Sequence, residues 1–244
     1  MKKAFMLVLL AMLFCTQSAL AETELVGISL GGVNIQLPAP NGFSEVSDVS
    51  PQIRNRAERL TPPQNRLLAF FVPDAALQRF KKGEVATLVY DRYMVVQAFR
   101  GMESGNVSSQ QFRELVRHIR QEQGHLSERD RERAQSYIDD VSKELSKERG
   151  ISIDLKVGQP LSLGVFAEGD NFIAYAGLTK YKIAAEGKAL EMVNASAISF
   201  IRVKKKLIFG YVYAKHDSEK DIDWVRAAAK DWIQKILSAN GSGS

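Results

Sequence analysis

Cysteine occurs once in the 244 residues, as Cys15, inside a stretch that reads as a cleavable export signal. The chain left after cleavage would have no thiol nucleophile, no disulfide and no sulfur ligand for a metal. Histidine occurs only three times, so imidazole chemistry rests on His118, His125 and His216 alone. Past residue 21 no apolar run approaches the ~20 residues that a membrane-spanning helix needs. Phosphate-cradling patterns are absent: there is no P-loop, and no GxGxxG opens a helix after a strand, so no cofactor is expected. Neither charge dominates, with 33 Lys+Arg against 28 Asp+Glu and a net charge of +5, which is too mild for a nucleic-acid footprint. Seventeen glycines and seven prolines exclude collagen-like and low-complexity chains.

What is present begins with an address. Lys2 and Lys3 precede an apolar run from Ala4 to Cys15, and Ala19-Leu20-Ala21 supplies the small-x-small pattern cut by a signal peptidase. Residues 1–21 therefore read as a signal peptide and Glu22 as the mature start. Cys15 follows Phe14 and lies upstream of that cut, which argues against a lipid anchor. The expected location is a bacterial periplasm, with an extracellular destination compatible with the same signal. Residues 22–240 read as one domain, large enough to need no disulfide staples, and residues 241–244 as a flexible tail.

Periodicity then gives the elements. Two short strands flank Gly31-Gly32, with Val33, Ile35 and Leu37 alternating in the second, the signature of a tight hairpin. Ser50-Pro51 opens a helix whose Ile53, Ala57 and Leu60 share a face. Residues 67–72 and 92–99 read as strands, separated by a short helix that Asp74 is expected to cap. Ser108 with Gln111 forms a capping box for a helix carrying Phe112, Leu115, Val116 and Ile119, which Gly124 should end. Ser127 starts the next helix, and Gly150 stops it. From Ile151 to Tyr213 the period becomes two, and Lys204-Lys205-Lys206 interrupts the last two strands. Lysines are poor type I′ turn residues, so a longer loop or bulge is expected there. Ser218 and Asp221 cap a final helix lined by Ile222, Val225, Ala229, Trp232 and Ile236.

These elements predict an α+β fold, a mainly antiparallel sheet covered by helices, in the manner of an α/β/α sandwich. The glycine-turn hairpin followed by "LPAPNGF", the late hairpin "AISFIRVKKKLIFGYVY" and the closing Trp-bearing helix resemble the PsbP/Mog1-like sandwich in order and pattern. The resemblance implies a non-catalytic accessory or binding role.

Chemistry-bearing patterns are few. Gly27-Ile28-Ser29-Leu30-Gly31 matches a nucleophile elbow, but it falls in an apparent hairpin strand with no helix after it. His118, Glu122 and His125 would share one side of an unbroken helix and are the weak metal candidates. Gly124 interrupts that side, and Arg117 and Arg120 oppose a cation, so no metal is expected. Glu168, Asp170 and His216 are the weak catalytic candidates, being acid/base groups placed at turns. The leading reading is an exported, non-enzymatic protein that binds another envelope component, in all expectation a protein. The rival is a periplasmic hydrolase using those Asp, Glu and His groups. Peripheral contact with an anionic membrane is compatible with the basic clusters, of which Lys204 to Lys206 is least diluted by acids.

Overall fold

The computed structural model describes residues 24–49, 51–84, 90–122 and 128–241. The signal segment, Ser50, Gly124, His125, Ser127 and the last three residues of the tail lie outside them. The chain opens with a hairpin, β1 (Leu25–Leu30) and β2 (Val33–Pro38), which forms a two-stranded sheet of its own. Its two-residue turn has both glycines at positive φ, 53° at Gly31 and 78° at Gly32, a backbone that L side chains resist.

Eight further strands build one antiparallel sheet in the order β3-β4-β5-β10-β9-β8-β6, with β7 also pairing with β8. They are β3 (Phe43–Glu45), β4 (Asn65–Pro73), β5 (Arg92–Phe99), β6 (Ile153–Val157), β7 (Leu161–Gly169), β8 (Phe172–Ala185), β9 (Lys188–Val203) and β10 (Lys206–Lys215). Five α-helices accompany them: α1 (Pro51–Arg59), α2 (Asp74–Lys81), α3 (Ser109–Glu122), α4 (Glu128–Arg149) and α5 (Glu219–Ala239). The architecture is α+β, a mainly antiparallel sheet packed against helices.

The larger core lies between one sheet face, α5 and the hairpin. The stripe expected of α5 is the one observed, with Ile222, Val225, Ala229, Trp232 and Ile236 all buried. Small residues make room for it: a Cβ added at Gly210 would sit 3.9 Å from the Trp232 ring, and Ala195, Ala197 and Ala214 are buried in the same core. Trp232 meets Phe71 edge-on at 5.4 Å, and its Nε1 donates to the Pro38 carbonyl at 2.8 Å, so the indole is buried without an orphaned donor. The Ser218/Asp221 capping box is present at the start of α5. At its other end, Asn240 joins the hairpin: Oδ1 accepts from the Gln36 amide and Nδ2 donates to the Gln36 carbonyl. A smaller core lies on the opposite face, where Ala57 of α1 and Leu77 of α2 cover Phe70, Val72 and Val95.

Three local expectations are corrected. Asp74 does not precede its helix as a cap; Pro73 does, and Asp74 is the first helical residue, its carboxylate accepting from the Ser44 hydroxyl at 2.6 Å. The sixth strand starts at Ile153 rather than Ile151. The lysine triplet is not a longer loop, and only two of its three lysines, Lys204 and Lys205, are exposed. Lys204 and Lys205 form a two-residue turn with φ of 48° and 66°, and Val203 pairs with Lys206 across it. Lys206 is buried, its Nζ donating to the carbonyls of Glu103, Ser104 and Gly105 at 3.0, 3.3 and 2.8 Å. Three backbone acceptors offset the desolvation of its charge.

Candidate functional site

A cleft of about 410 Å³ opens between the second sheet face, α1 and α4. Period two puts its floor on the sheet. Tyr93, Val95 and Gln97 alternate along β5, Tyr213 of β10 pairs directly with Tyr93, and Tyr181 and Ile183 alternate along β8 opposite Met192 and Leu190. One wall is α1, through Arg56 and Ala57. The other is α4, whose Tyr137, Ile138 and Val141 recur at helical spacing toward the sheet.

The position of α4 is fixed by an unusual seam. The hydroxyl of Ser146 accepts from the Ile153 amide at 2.8 Å, that of Ser142 from the Leu155 amide at 3.1 Å, and the Gln135 side-chain carbonyl from the Val157 amide at 3.3 Å. Alternate amides of β6 are thereby saturated by one helix. At the other side of the cleft the Tyr137 hydroxyl donates to the Arg59 carbonyl, linking α4 to the end of α1.

Aromatic rings run along the floor in contact. Phe70 meets Tyr90 and Tyr93 edge-on, Tyr93 stacks on Tyr213 at 4.7 Å between centroids, and Tyr213 stacks on Tyr211 at 6.1 Å. The hydroxyls of Tyr90, Tyr93, Tyr181 and Tyr213 make no hydrogen bond with the described residues, and none is fully sealed from solvent. Burial pushes the phenol pKa of each of these four upward, assisted at Tyr93 and Tyr213 by neighbouring phenols and opposed at Tyr90 by Arg56. Tyr137 is pushed up to about 12 by burial and by the Glu144 carboxylate. A phenol held this far above neutrality keeps its proton, so it can donate a hydrogen bond but cannot serve as a general base. Beside the cleft lies a more polar recess of about 490 Å³, where Arg59, Arg66 and Arg100 face Glu58, Asp140 and Glu144.

The residues singled out from sequence lie elsewhere. Glu168 lies at the penultimate position of β7 and pairs with Arg120 of α3, its Oε2 2.8 Å from the arginine Nε. Asp170 is exposed in the turn between β7 and β8. His216 follows β10 and donates its backbone amide to the Val193 carbonyl; its Nδ1 is buried without a protein partner. The register puts Phe172 opposite Ile201 and Ile208, whereas Lys215 aligns with Asn194 and Thr179. His216 is thus about 23 Å or more along the sheet from Glu168 and Asp170, by the rise per strand residue, and the fold does not bring the three together. His118 and Glu122 are exposed on α3, and His125 lies outside the described residues; among those residues no cluster of three His, Cys, Asp or Glu could hold a metal. Ser29 lies in β1, which leads through a turn into β2, and its carbonyl accepts from Arg66 at 2.9 Å.

No family profile matches the chain, and no curated sequence matches it. Solved structures do. A single-residue variant of the protein Mog1 superposes with a TM-score of 0.34 at 12% identity, covering 88% of this chain and 94% of its own. The Ran-binding protein Mog1p of Saccharomyces cerevisiae gives 0.30 at 11% identity, covering 90% and 93%. Both are weak superpositions, a likeness of layout alone. Among the described residues no helix is long and apolar enough to cross a membrane.

The cleft was not among the residues read from the sequence. Its tyrosines are spread from Tyr90 to Tyr213, and only strand register gathers them; the one local signal is the alternation of Tyr211 and Tyr213 within β10.

Proposed function

We propose that this chain is an exported, non-enzymatic binding protein of the cell envelope, and that it binds an envelope component in the tyrosine-lined cleft. The observation that carries the reading is an apolar cavity of about 410 Å³ whose phenols keep their protons, those of Tyr90, Tyr93, Tyr181 and Tyr213 having no partner among the described residues. That volume is within the range of small-molecule sites, and apolar walls with a few convergent polar groups are the usual construction of such sites. The envelope location rests on the signal-like residues 1–21. The dispersal of Glu168, Asp170 and His216 supports binding over hydrolysis, because acid/base work needs groups within hydrogen-bond reach of one substrate.

The test uses N-phenyl-1-naphthylamine, a neutral aromatic probe that brightens on entering apolar surroundings. The expected outcome is saturable one-to-one binding to the protein, weakened at least about tenfold by Ile138→Trp, which fills the cleft from α4. Denaturation of the variant reports separately on its folding. A folded Ile138→Trp protein that binds the probe as well as the parent would rule out the cleft as the site.

A further inference from the structure

We infer that the cleft takes an amphipathic organic anion, with the apolar body among the tyrosine rings and the acid group on the guanidinium of Arg56; this rests on the cleft being a binding site. Arg56 is the single charged side chain among the described residues that line the cleft. It is half-buried next to Ala57, which α1 presses against the sheet.

Neighbouring arginines are engaged. Arg54 pairs with Asp48, Arg66 with Glu103 at 2.9 Å, and Arg100 donates from Nε to the Asn65 carbonyl at 2.9 Å. The Arg56 guanidinium makes no hydrogen bond or ion pair with any described residue, and its one electrostatic neighbour is the phenol of Tyr90, whose pKa it lowers against the effect of burial. Water is then the only partner of this half-buried guanidinium, and a carboxylate or sulfonate could replace that water with two parallel charge-assisted N–H bonds.

The surrounding electrostatics favour one orientation. Among the described residues the cleft is lined by no carboxylate, and Asp140 and Glu144 of α4 line the adjoining recess, where they would repel an anion. The unpartnered hydroxyls of Tyr90 and Tyr93 can add donors to acid oxygens, since both are protonated at neutral pH. A neutral ligand would leave Arg56 unpaired, and a cationic one would be repelled by it.

A matched pair of probes decides the matter. 1-Anilinonaphthalene-8-sulfonate is N-phenyl-1-naphthylamine with one added sulfonate, so the two share an apolar body and differ in charge. The wild-type protein should bind the sulfonate about tenfold more tightly than the neutral probe, as expected for hydrogen bonds to a charged group, and each should displace the other. Arg56→Gln should abolish that preference while leaving the neutral probe's affinity within about twofold, and Lys220→Gln, on the exposed side of α5, should change neither. Equal affinities for the two probes in the wild-type protein, a preference that survives in Arg56→Gln, or a sulfonate that the neutral probe cannot displace would each overturn the anion assignment while leaving the cleft reading intact. Failure of both probes to bind the wild-type protein would remove the cleft reading, and the inference with it.

Discussion

Gly31 is the tightest point of approach in the opening hairpin. A Cβ there would lie 1.9 Å from the carbonyl oxygen of Glu103 and 2.8 Å from Nζ of Lys206, and the backbone is left-handed besides. Gly32, next to it, is equally left-handed, with nothing within 4 Å. The pair separates two costs that one hairpin turn usually confounds. Gly32→Ala should lose about 1 kcal/mol, the ordinary penalty of an L residue in that region, whereas Gly31→Ala should lose about 3 kcal/mol or more because backbone must move. Denaturant midpoints of the two variants check this, and equal losses would show that the loop holding Glu103 yields freely. The same neighbourhood shows why the lysine triplet misled. In sequence, Lys206 is one of three equivalent cations; in the fold, strand alternation turns it inward to three carbonyls, a role that no residue adjacent to it in sequence announces.

At the scale of elements, the seam between α4 and β6 closes an edge of the main sheet. Exposed amides on such a strand can recruit a strand from another chain, and covering them with a helix is one way to prevent it. Ser142→Ala and Ser146→Ala should each cost about 1–3 kcal/mol, since each leaves a strand amide without its acceptor. Hydrogen exchange should quicken at Leu155 in the first variant and at Ile153 in the second, and the double variant should associate at concentrations where the parent does not. Unchanged exchange at both amides would show that water replaces the hydroxyls at no cost.

Helices α3 and α5 were legible in advance, because a capping box and an apolar stripe are local signals. The work of Ser142 and Ser146 was not, since on a helical wheel they are ordinary polar residues, and only the adjoining strand gives them partners. The candidate site divides the same way. Arg56 adjoins the apolar stripe of Ile53, Ala57 and Leu60 on its helix, but its isolation on a tyrosine-lined wall depends on how α1, β5, β8 and α4 meet.

Across the whole molecule the tyrosines share one behaviour. All seven have pKa values raised by burial, to about 12 at Tyr137 and Tyr175 and upward at the others. In the unfolded chain these phenols lose their protons near pH 10, while the folded protein retains them. The unfolded state therefore binds fewer protons above pH 10, and stability that is fully present below it falls as pH rises, by up to ~1.4 kcal/mol per pH unit for each tyrosine. A phenolate absorbance titration of the native protein should lag behind that of the unfolded chain, with Tyr137 and Tyr175 ionising only at about pH 12, and should rise steeply where the fold gives way. A normal phenol titration in the still-folded protein would contradict the burial of this face.

The clasp between the opening hairpin and the end of α5 also has a consequence for how the chain acquires its shape. Gln36 and Asn240 are 204 positions apart, and Trp232 must be in place before the Pro38 carbonyl has its donor. Contacts so distant in sequence form late and slowly. The hairpin is synthesised about two hundred residues before the end of α5, so the part of its packing that α5 supplies is the last to close.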